Sequence, residues 1–176
     1  LKDKATGEAM DLNHGLAYAP SKISIKSGEY DECKDADIVV ITAGLAQKPG
    51  QTRLELAQTN AKIMKDITEN VVKSGFNGIF VIASNPVDLM TYVAHKVSGF
   101  PKNKVIGSGT VLDTARLRYL IGERLNVSSK NIHAYIMGEH GDSSFVPWNH
   151  AYVGCKKIKD VMKDGRHPME DLNKIH

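Results

Sequence analysis

The chain has 176 residues, of which 41% are hydrophobic and 24% charged, which suits one soluble globular domain, or part of a larger one, with a packed core. The net charge is +3 and the lysines are scattered among acidic neighbours; without a basic run or interleaved aromatics, nucleic-acid binding is not indicated. Cys33 and Cys155 form neither a CxxC pair nor a ligand-spaced cluster, so no metal site or disulfide framework is expected and reduced thiols in a cytoplasmic protein are the simplest reading. No apolar run approaches the roughly 20 residues of a membrane span. No signal peptide is visible, although the first residue is Leu1 and not methionine, which leaves room for an upstream segment.

In chain order, KISIK over 22–26 alternates as a strand does, and ADIVVIT over 36–42 is a continuous apolar run, as expected for a strand covered on both faces. The spacing predicts a long helix over 55–73, a buried strand over 79–83, and a helix over 86–97 with proline in its first turn. A short strand over 104–106, an amphipathic helix over 112–125 and a strand over 132–137 follow, and 151–153 begins another. No internal repeat or low-complexity linker interrupts this order. Strands alternating with helices define an α/β protein with a mainly parallel sheet. In such sheets ligands sit beyond the carboxyl ends of the strands. The residues just past the predicted strands are Ala43-Gly44, Ser84-Asn85, Ser108 and the run 138–142.

Among seven histidines, only His140 directly follows a predicted strand between glycines, in GEHGD. Gly138 and Gly141 would let the backbone turn tightly and a ligand approach. A lone histidine is more often a satisfied surface or core group, so His140 needs partners to stand out. Asp113 and Arg116 are three apart in the helix LDTARLRYL, about 60° apart on one face. They are either an ordinary surface ion pair or a divided site. In the latter, Asp113 orients the imidazole and stabilises imidazolium, while Arg116 grips a carboxylate with its planar fork. The segment LAQKPGQTRL over 45–54 is either a solvent loop or a lid that excludes water and brings Arg53 to a carbonyl oxygen. Asn85, in SNPVD, is either a helix N-cap before Pro86 or a polar contact for a ligand, and the two are compatible.

Taken together and in this order, GEAMDLNHG, TAG, QKPGQTR, ASNPVD, GSGTVLDTARLR and GEHGDSS, spread over residues 7–144, closely resemble the lactate/malate dehydrogenase family, and within it the L-lactate dehydrogenases. The resemblance implies a partial Rossmann-like parallel sheet, a dinucleotide-binding domain over 1–107, running into the start of an α+β substrate domain over 108–176. It implies NAD as cofactor and reversible interconversion of L-lactate and pyruvate in glycolysis or fermentation. Matched residue by residue, His140 corresponds to the proton donor and acceptor, Asp113 to its partner, Arg116 to the carboxylate anchor and Arg53 to the lid arginine. Asn85 matches the asparagine shared by cofactor and substrate. Gly44, Leu45, Ala83, Ser84 and Ser108 fall at dinucleotide contacts, and Lys4 and Tyr30 at weaker contacts to the adenosine end. The family's malate enzymes carry arginine where this chain has Gln47. A neutral amide leaves a second substrate carboxylate unpaired, which favours pyruvate over oxaloacetate. Arg118 lies about 200° around the helix from Arg116 and cannot share its face. With His133 it matches the pair that binds fructose 1,6-bisphosphate at a subunit interface in bacterial members, the alternative being a structural ion pair across that interface; the resemblance also implies a homotetramer.

Two departures qualify the resemblance. No GxGxxG follows a strand in this chain, and the sequence stops at His176 inside a pattern that reads as a helix start. The chain therefore reads as an internal fragment, without the glycine-rich phosphate loop and the C-terminal part of the substrate domain, and the isolated chain is expected to bind NAD poorly. The alternatives are another 2-hydroxy-acid dehydrogenase, for branched substrates or malate, and a non-catalytic fragment.

Overall fold

The central element of the computed structural model is a parallel sheet in the order β1 (Ile38–Ile41), β2 (Ile79–Ile82), β3 (Val105–Gly107). The structure describes residues 2–20, 22–46, 50 and 53–164, apart from the side chains of Arg53, Leu54 and Asp164. Helix α2 (Arg53–Lys73) connects β1 to β2, and α3 (Val87–Ser98) connects β2 to β3. Ile41 pairs with Ile82, and Phe80 with Val105. These four side chains are buried together with Met64 and Val71 of α2 and Met90 and Ala94 of α3. Phe76, Phe80 and Phe100 fill the end of this core, with ring centroids 4.9 to 6.0 Å apart.

The other face of the sheet is open. Ile38, Val40 and Ile106 are 55%, 58% and 47% exposed, which corrects the expectation that 36–42 is covered on both sides. The reason is topological. Both crossovers step the same way along the sheet, and right-handed connections that step the same way place their helices on the same face. Close packing on that face also explains Gly107. A Cβ there would lie 2.5 Å from Thr91 Oγ1 of α3, so only glycine lets β3 meet the helix without a shift.

Two further expectations change upstream of β1. Residues 22–29 form no strand, because no neighbouring strand offers them a ladder among the described residues. The Ile25 carbonyl instead accepts from Asn13 Nδ2 at 2.7 Å. Asn13 belongs to α1 (Lys2–His14), a helix that the apolar pattern does not announce, since none of its residues is buried.

A second core follows. Helix α4 (Val111–Leu125) packs Leu117 and Ile121 against Ile132, Ala134, Ile136, Ala151, Ile158 and Met162. The antiparallel sheet here is small: β4 (Ile132–His133), β5 (Tyr152–Val153) and β6 (Lys156–Lys157), followed by α5 (Ile158–Val161). The strand expected over 132–137 thus shortens to its first two residues. Ile136 pairs with side chains at the start of α4 and not with a strand: its carbonyl accepts from Oγ1 of Thr110, the N-cap residue, at 2.6 Å and its N–H donates to Thr114 Oγ1 at 2.9 Å. The helix satisfies the backbone groups that a ladder would otherwise hold.

Candidate active site

The segment after Ile136 leads into a closed loop. Met137 and Phe145 exchange two backbone hydrogen bonds of 2.9 Å, and the residues between them present His140. Gly138 makes the turn possible with φ of +100°, where a Cβ would also crowd Ser143 O at 3.3 Å. Gly141 has no such need: its φ is outside the left-handed region and a Cβ there meets only Glu139 Cδ at 4.0 Å. The expectation of two required glycines reduces to one.

His140 Nδ1 lies 2.6 Å from Asp113 Oδ2, in the first turn of α4. A carboxylate is an acceptor, so the pair favours the proton on Nδ1 and leaves Nε2 as the working nitrogen. Nε2 has no protein partner among the described residues. The other Asp113 oxygen lies 3.7 Å from Arg116 NH1. Arg116 is 65% exposed against 22% for Asp113, so this contact adds little to stability and leaves the guanidinium free to take another anion. The sequence thus placed His140, Asp113 and Arg116 correctly as neighbours.

A fourth member went unnoticed in the sequence. The His140 backbone N–H donates to Asp88 Oδ2 at 3.0 Å. Asp88 stands in the first turn of α3, where a carboxylate is favoured by the helix dipole. Its position in SNPVD, three residues past Asn85, was the available signal.

Asn85 precedes Pro86 through a cis peptide, and α3 is capped by Pro86 with no side-chain cap bond. The expected N-cap role of Asn85 therefore falls away. Its amide is exposed and, among the described residues, has no side-chain hydrogen bond. Gly44, Leu45 and Ala83 are likewise exposed at the carboxyl edge of the sheet. Ser108 is half-buried and its N–H donates to Ile82 O at 2.8 Å. Ser84 is buried and its hydroxyl donates to Ile41 O at 3.2 Å, so its side chain is committed within the fold. Open main chain beside a free carboxamide side chain fits the nicotinamide end of a dinucleotide.

The remaining candidates stand apart from this group. Lys4 is exposed on α1. Tyr30 opens a short 3-10 turn, and its phenol is raised above the usual value by partial burial, then by the Asp66 carboxylate and Cys33. Arg118 is half-buried and lines a shallow cavity of about 250 Å³ with Ala115, Ser129 and Lys130, while His133 is exposed on β4. Gln47 and the Arg53 side chain lie outside the described residues; the Arg53 backbone begins α2.

No helix among the described residues is long and apolar enough to cross a membrane. Residues 1–107 match the family model described as lactate/malate dehydrogenase, NAD binding domain. Residues 110–175 match the one described as lactate/malate dehydrogenase, alpha/beta C-terminal domain. The chain is 59% identical over 175 residues to the L-lactate dehydrogenase of Borrelia hermsii, covering 99% of this chain and 55% of that protein. Among solved structures, a lactate dehydrogenase from a Medee basin deep-sea metagenome library superposes with a TM-score of 0.94 at 58% identity, over 99% of this chain and 56% of the other. The minor L-lactate dehydrogenase of Enterococcus mundtii, in its ligands-bound form, gives 0.94 at 49% identity over the same shares. The chain thus spans about half the length of the relatives it matches.

Proposed function

The chain belongs to the lactate/malate dehydrogenase family, and on that premise we propose that the whole protein is an L-lactate dehydrogenase interconverting L-lactate and pyruvate. The observation that carries this reading is the 2.6 Å pairing of His140 with Asp113 beside an exposed Arg116. Bound NAD supplies the hydride donor or acceptor. The protein's own groups do the rest. In the reducing direction, His140 Nε2 gives a proton to the carbonyl oxygen, and Asp113 stabilises the tautomer and the charged ring. Arg116 holds the substrate carboxylate bidentately, so that the carbonyl faces His140. Arg53 stabilises negative charge developing on the same oxygen, and Asn85 contacts both cofactor and substrate. Gln47 selects a neutral substituent on the 2-oxo acid. Gly44, Leu45, Ala83, Ser84 and Ser108 line the cofactor crevice, with Lys4 and Tyr30 toward the adenosine end.

The division into a dinucleotide-binding part over 1–107 and a substrate part over 108–176 is consistent with two separate apolar cores. The same reading makes the protein a cytoplasmic homotetramer of glycolysis or fermentation, with Arg118 and His133 binding fructose 1,6-bisphosphate between subunits.

Steady-state kinetics of the full-length protein with NADH test the substrate. The specificity constant for pyruvate should exceed that for oxaloacetate by about 100-fold or more. A preference for oxaloacetate, or for a branched 2-oxo acid, overturns the lactate reading. Activation by fructose 1,6-bisphosphate should disappear in Arg118→Gln, and activation unchanged by that substitution rejects the effector site.

A further inference from the structure

One buried polar side chain near the site is used by none of the roles above. Asn60 lies on α2 and is only 3% exposed. It shares the buried side of that helix with Met64 and Val71, where an apolar residue would be the ordinary choice. Its amide is fully engaged. Oδ1 accepts the Leu45 N–H at 2.9 Å, and Nδ2 donates to Leu45 O at 3.4 Å and to Asn85 O at 3.2 Å. Gly44 seats directly on the group, since a Cβ there would lie 3.5 Å from Nδ2.

The place of this amide explains its chemistry. β1 and β2 end their pairing at Ile41 and Ile82, and the last rung between them runs from Ala83 N–H to Ile41 O at 2.9 Å. Beyond that rung no backbone hydrogen bond joins the two chains among the described residues, at the carboxyl edge where parallel sheets bind ligands. A side-chain carboxamide has the donor and acceptor of a peptide unit. Inserted between the diverging loops, Asn60 supplies the rung that the main chain no longer can, and so sets the spacing between Leu45 and Asn85. These are the two residues that flank the nicotinamide end of the crevice in the reading above.

We propose that Asn60 is a positioning residue that fixes the width of the cofactor crevice by bridging the Leu45 and Asn85 main chains. The proposal rests on the dehydrogenase reading only for turnover; its effect on cofactor affinity depends on family membership alone.

The test uses the full-length protein. Asn60→Leu keeps the volume and removes all three hydrogen bonds, and Asn60→Asp keeps the acceptor facing the Leu45 N–H but loses the donor to Asn85 O. Thr68→Val is the control: Thr68 is equally buried on the same helix, and its hydroxyl has no partner among the described residues. NADH affinity is read by fluorescence titration, kcat and KM by steady-state assay, and folding by circular dichroism. Folded Asn60→Leu should weaken NADH binding about tenfold or more, the loss of roughly one net buried hydrogen bond. kcat should fall by a similar factor, with the KM for the 2-oxo acid changing less, while Thr68→Val matches the wild type in all three. If Asn60→Leu does not fold, Asn60→Asp carries the same expectation for NADH. Wild-type NADH affinity in a folded Asn60 variant overturns the proposal, as does an equal loss in Thr68→Val. Turnover of a substrate other than pyruvate would reject the lactate reading and still leave the NADH comparison to decide on Asn60.

Discussion

Around the parallel sheet, the candidate site is largely main chain, with the Asn85 side chain beside it. Gly44, Leu45 and Ala83 lie exposed at the strand ends, and side chains such as Ser84 and Asn60 are turned inward to hold that backbone. Around α4 the arrangement is the reverse. The groups proposed to work there are side chains, His140, Asp113 and Arg116, and the backbone is what is held, by Thr110, Thr114 and the Met137–Phe145 pair. A sheet edge suits a large cofactor that lies across several loops, whereas proton transfer needs one nitrogen at one distance. At the site the two regions are joined by the hydrogen bond from the His140 N–H to Asp88.

Substitutions can break this division or sharpen it. His140→Gln should lower kcat of the full-length enzyme by about 10³-fold, roughly 4 kcal/mol of barrier, and leave NADH affinity unchanged. Loss of NADH affinity in that variant would mean that the two regions do not work separately. Phe80→Ala empties the core beneath the sheet, where Phe80 is 0% exposed, and should cost about 3–4 kcal/mol in urea unfolding. A loss below about 1 kcal/mol would show that this core collapses around the gap.

Asp113→Asn removes the charge that favours imidazolium and should lower kcat/KM by about 100-fold, near 2.7 kcal/mol. Equal activity would assign that role to another carboxylate. Asp88→Ala cuts the contact between the regions, and we expect about a tenfold loss in kcat with little change in the KM for NADH. A pure stability loss at full kcat would make Asp88 structural. Thr68→Val replaces a buried hydroxyl that has no partner among the described residues and should change stability by no more than about 0.5 kcal/mol, or increase it. A loss above 1 kcal/mol by thermal melting would reveal a hydrogen bond from that hydroxyl.

Much of this was legible because periodicity and strand-end position carry strong signals. The run 79–83 and the helix pattern 55–73 appear as β2 and α2 within a few residues. His140, Asp113 and Arg116 were legible because helical spacing puts Asp113 and Arg116 on one face and GEHGD follows a strand signal. What escaped depended on partners. KISIK alternates like a strand, but a strand exists only against a neighbour, and residues 22–29 have none among the described residues. The strand over 132–137 is shortened by Thr114 of α4 and Thr110 at its N-cap, which no alternation pattern encodes. Asp88 and Asn60 escaped because their partners are main-chain groups distant in sequence. A polar residue on a buried helical stripe was the only mark that Asn60 left.

The fit of Gly107 against Thr91 has an evolutionary consequence. The two positions are coupled: with 2.5 Å between a new Cβ at 107 and the Thr91 hydroxyl, a larger residue at 107 requires either that this hydroxyl turn away and give up its bond to Val87 O or that a smaller residue stand at 91. A change at 107 should therefore be tolerated better once position 91 has shrunk than before it, although position 107 lies outside the groups proposed to act in the reaction.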